Sequence, residues 1–230
     1  MTLIASPTLP LLYLASESPR RQELLHQIGV PHRVLRLPPV VGEDEPRKAS
    51  EPPLAYVQRT ALEKAQRAEQ WLRQTSVQSL TDDNKHSGSS STDKGDQVKA
   101  SRLTLPILTA DTTVALGDTV LGKPVDAEHA SNILSQLSGK THTVYTAVVL
   151  VTSTGFHTGL STSLVTFKSL TQDEIAQYID TGDCYGKAGA YGIQGYAARF
   201  IQNLQGSYSG VMGLPLYETA ELLRTAKIIA

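Results

Sequence analysis

The 230-residue chain lacks several features that would place it in a special class of protein. Its single cysteine, Cys184, can form neither an intramolecular disulfide nor a zinc site with several cysteine ligands. No apolar run approaches the ~20 residues that a membrane-spanning helix needs. The segment from Met1 to Pro10 has no basic n-region of the kind that begins a signal peptide. With 40% hydrophobic and 19% charged residues, the composition indicates a globular protein, which we expect to be soluble and cytoplasmic.

The chain also lacks an excess of charge of either sign. It carries 21 Lys and Arg against 22 Asp and Glu, a formal net charge of −1. A nucleic-acid groove needs a basic surface, and an anchor on a lipid surface needs clustered Lys and Arg. We therefore expect neither a nucleic-acid partner nor a membrane partner.

One segment is devoid of apolar side chains. From Thr81 to Gln97 there is no aliphatic or aromatic residue. Such a stretch cannot bury enough apolar surface to offset the entropy that is lost when it is ordered. We interpret residues 76–104 as a disordered surface insertion within a single domain that spans residues 1–230. A regulatory or partner-binding loop is the alternative for this segment.

The rest of the sequence alternates short apolar runs with amphipathic stripes, which predicts an α/β fold. Strands are predicted at residues 11–15, 34–37, 106–110, 143–151, 160–167 and 199–204. Helices are predicted after Ser18, over residues 54–74, after Asp126, after Thr171 and over residues 216–226. Thr171 and Glu174 form a capping-box pattern, and Gly117-Asp118 is typical of a hairpin turn.

Two glycine patterns and one histidine look functional but fail on closer inspection. Gly117 to Lys123 has the spacing G-x-x-x-x-G-K, yet Pro124 stands where a phosphate-binding loop has Ser or Thr and continues as a helix. The spacing of the glycines from Gly189 to Gly195 is not the dinucleotide fingerprint. His142 has no metal-ligand partner at a fixed spacing, so we expect it to be structural rather than catalytic.

The segment from Ser16 to Arg21 is the first candidate site. A predicted strand ends there and a helix begins, so free backbone N–H groups face a ligand at the positive end of the helix dipole. Ser16 and Ser18 add hydroxyl groups, and Arg20 and Arg21 add forked cations that suit phosphate. A capped helix with solvated arginines is the alternative, and the spacing alone leaves both open.

The second candidate is Asp111, which follows the predicted strand at residues 106–110. In open α/β sheets, ligands gather at the carboxyl ends of strands. Asp111 could hold Mg²⁺, polarise a water molecule or merely cap a turn. Lys123 could return to the same edge. Lys64 lies near the alanine stripe of the predicted helix over 54–74, where a snorkelling side chain is the alternative.

The loop from Gly186 to Gly195 is the third candidate. Its four glycines permit a close approach of the backbone to a ligand. Tyr191 offers a stacking face, and Gln194 offers both a donor and an acceptor that could bind a base edge. An ordinary flexible loop is the alternative.

Six motifs together resemble those of the Maf family of nucleoside triphosphate pyrophosphatases, and they occur in the family's order from about Leu11 to Leu223. They are Leu14–Leu25, Ala110–Thr112, Gly122–Pro124, Leu137–Gly139 with His142, Lys187–Gly195 and Gly213–Pro215. The resemblance implies a mixed twisted sheet flanked by helices, with a deep cleft, as in inosine triphosphatase-like proteins. It also implies hydrolysis between the α- and β-phosphates of a nucleoside triphosphate, with a divalent metal such as Mg²⁺ or Mn²⁺.

The resemblance further implies roles for individual residues. Asp111 matches the proton acceptor and a metal ligand, and Asp44 or Glu45 is a candidate for a further ligand. Lys64 and Lys123 match catalytic positions. The substrate-binding and specificity positions are matched by Ser16, Arg20, Arg21, Thr112 and Gln194. The loop that contains Gln194 is similar to that of the branch acting on dTTP and UTP.

Two positions depart from the family's pattern. Gly186 stands where an aspartate usually precedes Lys187, and Glu17 occupies a position that is usually small or neutral. The alternative function is a nucleotide-binding regulator of cell division or septation that does not turn over its ligand.

The assembly that we consider for this protein is a homodimer.

Overall fold

The structure is a computed structural model that describes residues 9–39, 46–83 and 105–230, with side chains described outside 76–83. Its strands are β1 (Leu12–Leu14), β2 (His32–Val34), β3 (Ile107–Leu116), β4 (Thr119–Leu121), β5 (Thr141–Thr152), β6 (Gly155–Phe167) and β7 (Ile201–Gln205). Its helices are α1 (Pro19–Gln27), α2 (Pro53–Asp83), α3 (Ala127–Leu137), α4 (Gln172–Asp180), α5 (Tyr208–Met212) and α6 (Leu216–Thr225). Two 3₁₀ turns, Ala188–Ala190 and Tyr196–Phe200, precede β7.

The strands form one mixed sheet in the order β2-β1-β3-β5-β6-β7, with β4 paired to β3. β1 runs parallel to β2 and β3, whereas the pairs from β3 to β7 are antiparallel. The predicted α/β class with a mixed sheet is therefore confirmed. No helix within the described ranges is both long and apolar enough to cross a bilayer.

Both faces of the sheet are covered by helices. On one face the alanine stripe of α2, which includes Ala61 and Ala65, packs against Ala147 and Val149 of β5. Small side chains let the helix lie close to the strands. On the other face α1 and α6 pack over β1, β3 and β5, and a second apolar cluster joins α3 and α4 to the far half of the sheet. The alternation along β3 sends Thr109 and Asp111 towards α2 and Thr112 towards α1 and α5.

β3 does not end at Asp111 as predicted. The strand continues to Leu116 because its backbone stays paired with β5 from Ile107 to Ala115. On its other edge β3 pairs with β1 only at Ile107 and Leu108, since β1 ends at Leu14. Asp111 therefore lies inside a strand, but beside the edge that β1 has left open. That open edge is where a ligand can enter.

Other boundaries also differ from prediction. The strand predicted at 34–37 lies earlier, over β2, and the one predicted at 199–204 begins at Ile201 after a 3₁₀ turn. α5 is too short to show periodicity and has no counterpart among the predictions. α2 runs to Asp83, beyond the end at residue 74 that was predicted for this helix. Residues 84–104 lie outside the described residues, and their assignment to an insertion stays a prediction.

Several local signals are confirmed. The Gly117-Asp118 turn joins β3 to β4 as an antiparallel hairpin. Asp126 caps α3 by accepting a hydrogen bond from the backbone N–H of His129. Thr171 and Glu174 form the expected capping box at the start of α4. Each of these short signals is local in sequence, and each acts within one turn of the chain.

Candidate active site

A cleft lies beside the open edge of β3, and it has two connected parts. The part against β3, which we call the inner chamber, has a volume of about 140 Å³. The part towards the start of α1, the outer chamber, has a volume of about 640 Å³. Residues that line both are Ser18, Arg20, Arg21, Lys64, Lys123 and Gly186.

All the predicted site residues that the structure describes lie on this cleft. The inner chamber adds Asp111, Thr112 and Gln194 to the shared residues, and the outer chamber adds Ser16. The structure thus brings together side chains from the three sequence segments that were separate candidates. Asp44 and Glu45, the candidates for a further metal ligand, lie outside the described residues.

Both carboxylate oxygens of Asp111 are held by α2. Lys64 Nζ lies 2.5 Å from Oδ1, and Thr60 Oγ1 donates to Oδ2 over 2.6 Å. Thr60 and Lys64 are one helical turn apart, so they present adjacent side chains to the same carboxylate. Thr60 was not among the predicted residues, although its i, i+4 spacing from Lys64 is a signal that could have found it. The result is an anion whose orientation is fixed.

Arg21 connects three segments of the cleft wall. Its Nε donates to the backbone oxygen of Gly213 over 2.8 Å, its Nη1 to Ser16 Oγ over 3.1 Å and its Nη2 to Thr112 Oγ1 over 3.4 Å. The guanidinium group is half-buried. Arg21 therefore fixes the wall of the cleft at the same time as it contributes positive charge.

The outer chamber is more open. Lys123 is exposed, and its ammonium group makes no hydrogen bond or ion pair within the described part of the chain. α1 begins with Ser18 as N-cap and Pro19 as first residue, but the Ser18 side chain makes no capping hydrogen bond. Arg20 Nε lies 3.4 Å from the backbone oxygen of Met212, and this is the one hydrogen bond of the Arg20 side chain within the described residues. Cations and the N-terminus of α1 thus line the space that an anion would fill.

The charge of the cleft differs from that of the whole chain. The described cationic side chains that line it are Arg20, Arg21, Lys64, Arg67, Lys123 and Lys187. The carboxylates in the same lining are Glu17 and Asp111. The chain as a whole has a formal charge of −1, so positive charge is concentrated at the cleft. Such a concentration draws in a polyanionic ligand.

The back of the inner chamber is aromatic. Tyr191 forms part of the wall, and its hydroxyl lies 2.9 Å from His142 Nε2. Burial lowers the pKa of His142 to about 4, so the imidazole is neutral at neutral pH. The ring of Phe167 packs edge-on against both. His142 lines neither chamber, and its contacts agree with the structural role that was expected for it.

Gln194, the other base-recognition candidate, also lines the inner chamber. Gln194 is exposed, and its amide makes no hydrogen bond within the described ranges. Lys187 Nζ lies 2.9 Å from Asp183 Oδ1, so the lysine has a carboxylate partner although Gly186 stands where an aspartate was expected. Asp183 was not predicted, because its pairing depends on how the loop turns.

The glycine-rich loop approaches the protein itself rather than a ligand at one key position. Gly189 has φ +71°, and a Cβ there would lie 2.9 Å from Cγ1 of Val114. Its backbone N–H donates to the oxygen of Gly122 over 3.0 Å. At Gly189 the close approach that glycine permits is therefore to β3. The loop is packed onto β3, which fixes the position of Tyr191 and Gln194.

The chain is similar to known proteins over nearly its whole length. The family model described as Maf-like protein matches residues 11–226. The dTTP/UTP pyrophosphatase of Bordetella avium is 49% identical, covering 95% of this chain and 96% of its own length. The dTTP/UTP pyrophosphatase of Cupriavidus pinatubonensis is 46% identical, covering 94% and 97%. A nucleoside-triphosphatase / dITP/XTP pyrophosphatase structure from Mycobacterium abscessus is 15% identical over 94% of this chain and 95% of its own, with a TM-score of 0.38, too low to support any conclusion.

Proposed function

Since the chain belongs to the family of Maf-like proteins, we propose that it hydrolyses dTTP and UTP to the nucleoside monophosphate and pyrophosphate. The observation that carries the proposal is the position of Asp111. Its carboxylate lines the smaller inner chamber and is paired with Lys64, a residue that also lines the cationic outer chamber. The curated relatives named dTTP/UTP pyrophosphatase support the choice of substrate.

The two chambers suit the two ends of a nucleotide. A triphosphate carries about four negative charges, which need cations and N–H donors. Arg20, Lys123 and the start of α1 supply these groups in the outer chamber. Tyr191 and Gln194 offer a ring face and an amide to a base in the inner chamber. In this orientation the α-phosphate lies near Asp111, between the two ends.

Asp111 is suited to act as the general base. Water attacks the α-phosphorus and gives its proton to the carboxylate, while the bond from that phosphorus to the bridging oxygen breaks and pyrophosphate leaves. Lys64 and Thr60 each occupy one lone pair of the carboxylate, which leaves further lone pairs for the water. The two donors also prevent the carboxylate from rotating out of line.

A divalent cation, Mg²⁺ or Mn²⁺, is the cofactor that we propose for this reaction. No cluster of three or more His, Cys, Asp or Glu side chains suited to a metal occurs among the described residues, so they do not form a full protein cage. Asp111 fits the other common arrangement, in which one or two carboxylates share the cation with water and substrate phosphates. When bound, the cation would neutralise charge on the phosphate oxygens. Asp44 and Glu45 stay candidates for an additional ligand.

The proposal is tested with purified protein, Mg²⁺ and a panel of dTTP, UTP, CTP, ITP and 7-methyl-GTP. We expect the highest kcat/KM for dTTP and UTP, with equal amounts of monophosphate and pyrophosphate formed. Faster hydrolysis of ITP or 7-methyl-GTP would contradict the pyrimidine specificity. Release of orthophosphate instead of pyrophosphate would contradict cleavage between the α- and β-phosphates. Binding without turnover of any nucleotide would support the regulatory alternative.

A further inference from the structure

A chain of hydrogen bonds runs from the cleft wall into the core. Arg21 Nη2 lies 3.4 Å from Thr112 Oγ1, Thr112 Oγ1 lies 3.0 Å from Thr146 Oγ1, and Thr146 Oγ1 lies 2.7 Å from the backbone oxygen of Gly210. Thr112 lines the inner chamber. Thr146 does not line either chamber and is 1% exposed. These hydrogen bonds therefore link Thr112, which lines the inner chamber, to Thr146, which is fully buried.

The direction of each bond follows from the number of protons. A carbonyl oxygen can only accept, so Thr146 donates its single hydroxyl proton to Gly210. Thr146 has no second proton to give, so the bond between the threonines must carry the proton of Thr112. The guanidinium group of Arg21 can only donate to Thr112. A ligand in the inner chamber thus meets a Thr112 oxygen that can accept a hydrogen bond but cannot donate one.

Thr146, which anchors this series of hydrogen bonds, is held rigidly. Thr112 and Thr146 are direct register partners on β3 and β5, so sheet geometry sets their spacing. The oxygen of Gly210 also accepts from the backbone N–H of Gly213. A Cβ at Gly210 would lie 2.8 Å from Ser161 Oγ, so α5 sits directly on the sheet at this point. Little freedom remains for Thr146 to turn its proton elsewhere.

We propose that Thr146 is a positioning residue for base selection, which holds Thr112 as an obligate hydrogen-bond acceptor facing the base. This inference rests on the proposed function. Uracil and thymine carry a hydrogen on ring nitrogen N3, whereas cytosine has a lone pair there. The Thr112 oxygen, which cannot turn its proton towards the base, accepts a hydrogen bond from N3–H of uracil or thymine. With cytosine, its lone pair would face the lone pair of N3, and no hydrogen bond would form. Thr146 thereby favours UTP and dTTP over CTP without touching the substrate.

The test compares UTP with CTP in wild-type protein and in Thr146→Val. Valine keeps the shape of the side chain but frees the proton of Thr112 to turn towards the chamber. The ratio of kcat/KM for UTP to that for CTP should fall by about tenfold or more, partly through faster hydrolysis of CTP. Thr146→Ser retains the hydroxyl and should restore the wild-type ratio. A purely structural role would lower kcat/KM for both nucleotides together and leave the ratio unchanged.

Thr109→Val is the matched control. Thr109 is also a fully buried sheet threonine, and it donates to a backbone oxygen, that of Ala61, over 3.1 Å. It faces α2 and lines neither chamber, so its loss should affect stability but not the UTP to CTP ratio. An equal change of ratio in Thr109→Val, or an unchanged ratio in folded Thr146→Val, would overturn the inference.

Two further measurements separate this inference from the proposed function. Binding of UMP and CMP by calorimetry gives the same ratio without turnover, so an inactive protein still tests the role of Thr146. Should Thr146→Val not fold, wild-type protein is given UTP methylated at N3, which lacks the donor. Rejection of that analogue is expected, and hydrolysis as fast as that of UTP would overturn the inference. A wild-type protein that hydrolyses neither UTP nor dTTP contradicts the proposed function instead.

Discussion

The inner and the outer chamber differ in how firmly their polar groups are held. In the inner chamber both oxygens of Asp111 accept short hydrogen bonds, and the proton of Thr112 is committed to Thr146. In the outer chamber Lys123 is exposed and the N-terminus of α1 has no side-chain cap. The outer chamber can therefore adapt to a flexible triphosphate, whereas the inner chamber presents a fixed pattern. The outer chamber thus attracts the triphosphate, and the inner chamber selects the base.

The difference follows from the elements that carry each chamber. Asp111 and Thr112 stand on β3, which is paired there with β5, and α2 holds the Asp111 carboxylate. The outer chamber is lined by residues of α1 and α2 but also by loop residues, namely the segment after β1, Pro38, Pro39 and Lys123. Side chains on strands and helices are held to a fraction of an ångström more easily than those on loops. The predictions below test whether changes in the two chambers have separable effects.

The largest expected effect belongs to the inner chamber. Asp111→Asn should lower kcat by about 10²–10⁴-fold, since an amide cannot take the proton from water. Binding of nucleotide should be retained, because the outer chamber is unchanged. Single-turnover kinetics and calorimetry with dTTP measure the two properties separately. Asp173→Asn, an exposed carboxylate of α4, serves as the control, and near-normal turnover in Asp111→Asn would remove Asp111 from its proposed role.

Lys123 lines both chambers, and its loss should act on binding instead. Lys123→Ala should lower kcat/KM by about tenfold to a hundredfold, the usual range for losing a hydrogen bond to a charged group. The loss should be equal for UTP and CTP, and the dependence of KM on salt should become shallower. Lys140→Ala, another exposed lysine away from the cleft, should leave all of these unchanged. A change of base preference in Lys123→Ala would show that the chambers are not separable.

The wall between α5 and α6 offers a sharper test of the inner chamber. Gly213 has φ +112°, and a Cβ there would lie 3.5 Å from both Arg21 Nε and Thr112 Oγ1. Gly213→Ala should cost about 1–3 kcal/mol of stability through backbone strain and should also weaken the preference for UTP over CTP. Gly182→Ala is the matched control, since Gly182 has φ +72° but open space around its Cα. Urea unfolding and the nucleotide panel together distinguish strain from loss of selection.

The sequence predicted the parts of this molecule that depend on local order. The alanine stripe of α2, the cap at Asp126 and the cluster from Ser16 to Arg21 are all evident within a few residues. The predicted end of β3 was wrong because Thr112 and Thr113 interrupt the apolar run, although the backbone pairing with β5 continues through both residues. Polar residues on a strand give no sign that their backbone is still in a sheet.

The missed site residues share a different cause. Thr146 is 34 residues from Thr112, and Thr60 is 51 residues from Asp111. Their roles exist only because the β3–β5 register and the position of α2 bring them into hydrogen-bond distance. A threonine carries no motif of its own, so no sequence pattern distinguishes Thr146 from the other threonines of the chain. For Thr60 the one signal is its i, i+4 spacing from Lys64.

The smallest predicted effect concerns the aromatic wall behind the inner chamber. Burial lowers the pKa of His142 from its ordinary 6.5 to about 4. Between these values the unfolded chain binds a proton that the native protein does not, so stability falls as pH falls through this window and is fully present above it. Lowering the pH from about 7.5 to about 5 should therefore cost about 2 kcal/mol of unfolding free energy through this residue.

His142→Gln should remove this part of the pH dependence, because an amide cannot be protonated in that range. The variant should be less stable than the wild type near neutral pH, yet lose less stability on acidification. Urea unfolding at the two pH values measures both slopes, and His26→Gln, an exposed histidine of α1, is the control. Identical slopes for His142→Gln and wild type would mean that the imidazole is protonated in the native protein. Because Tyr191 rests on His142, that result would also place a charge directly behind the inner chamber.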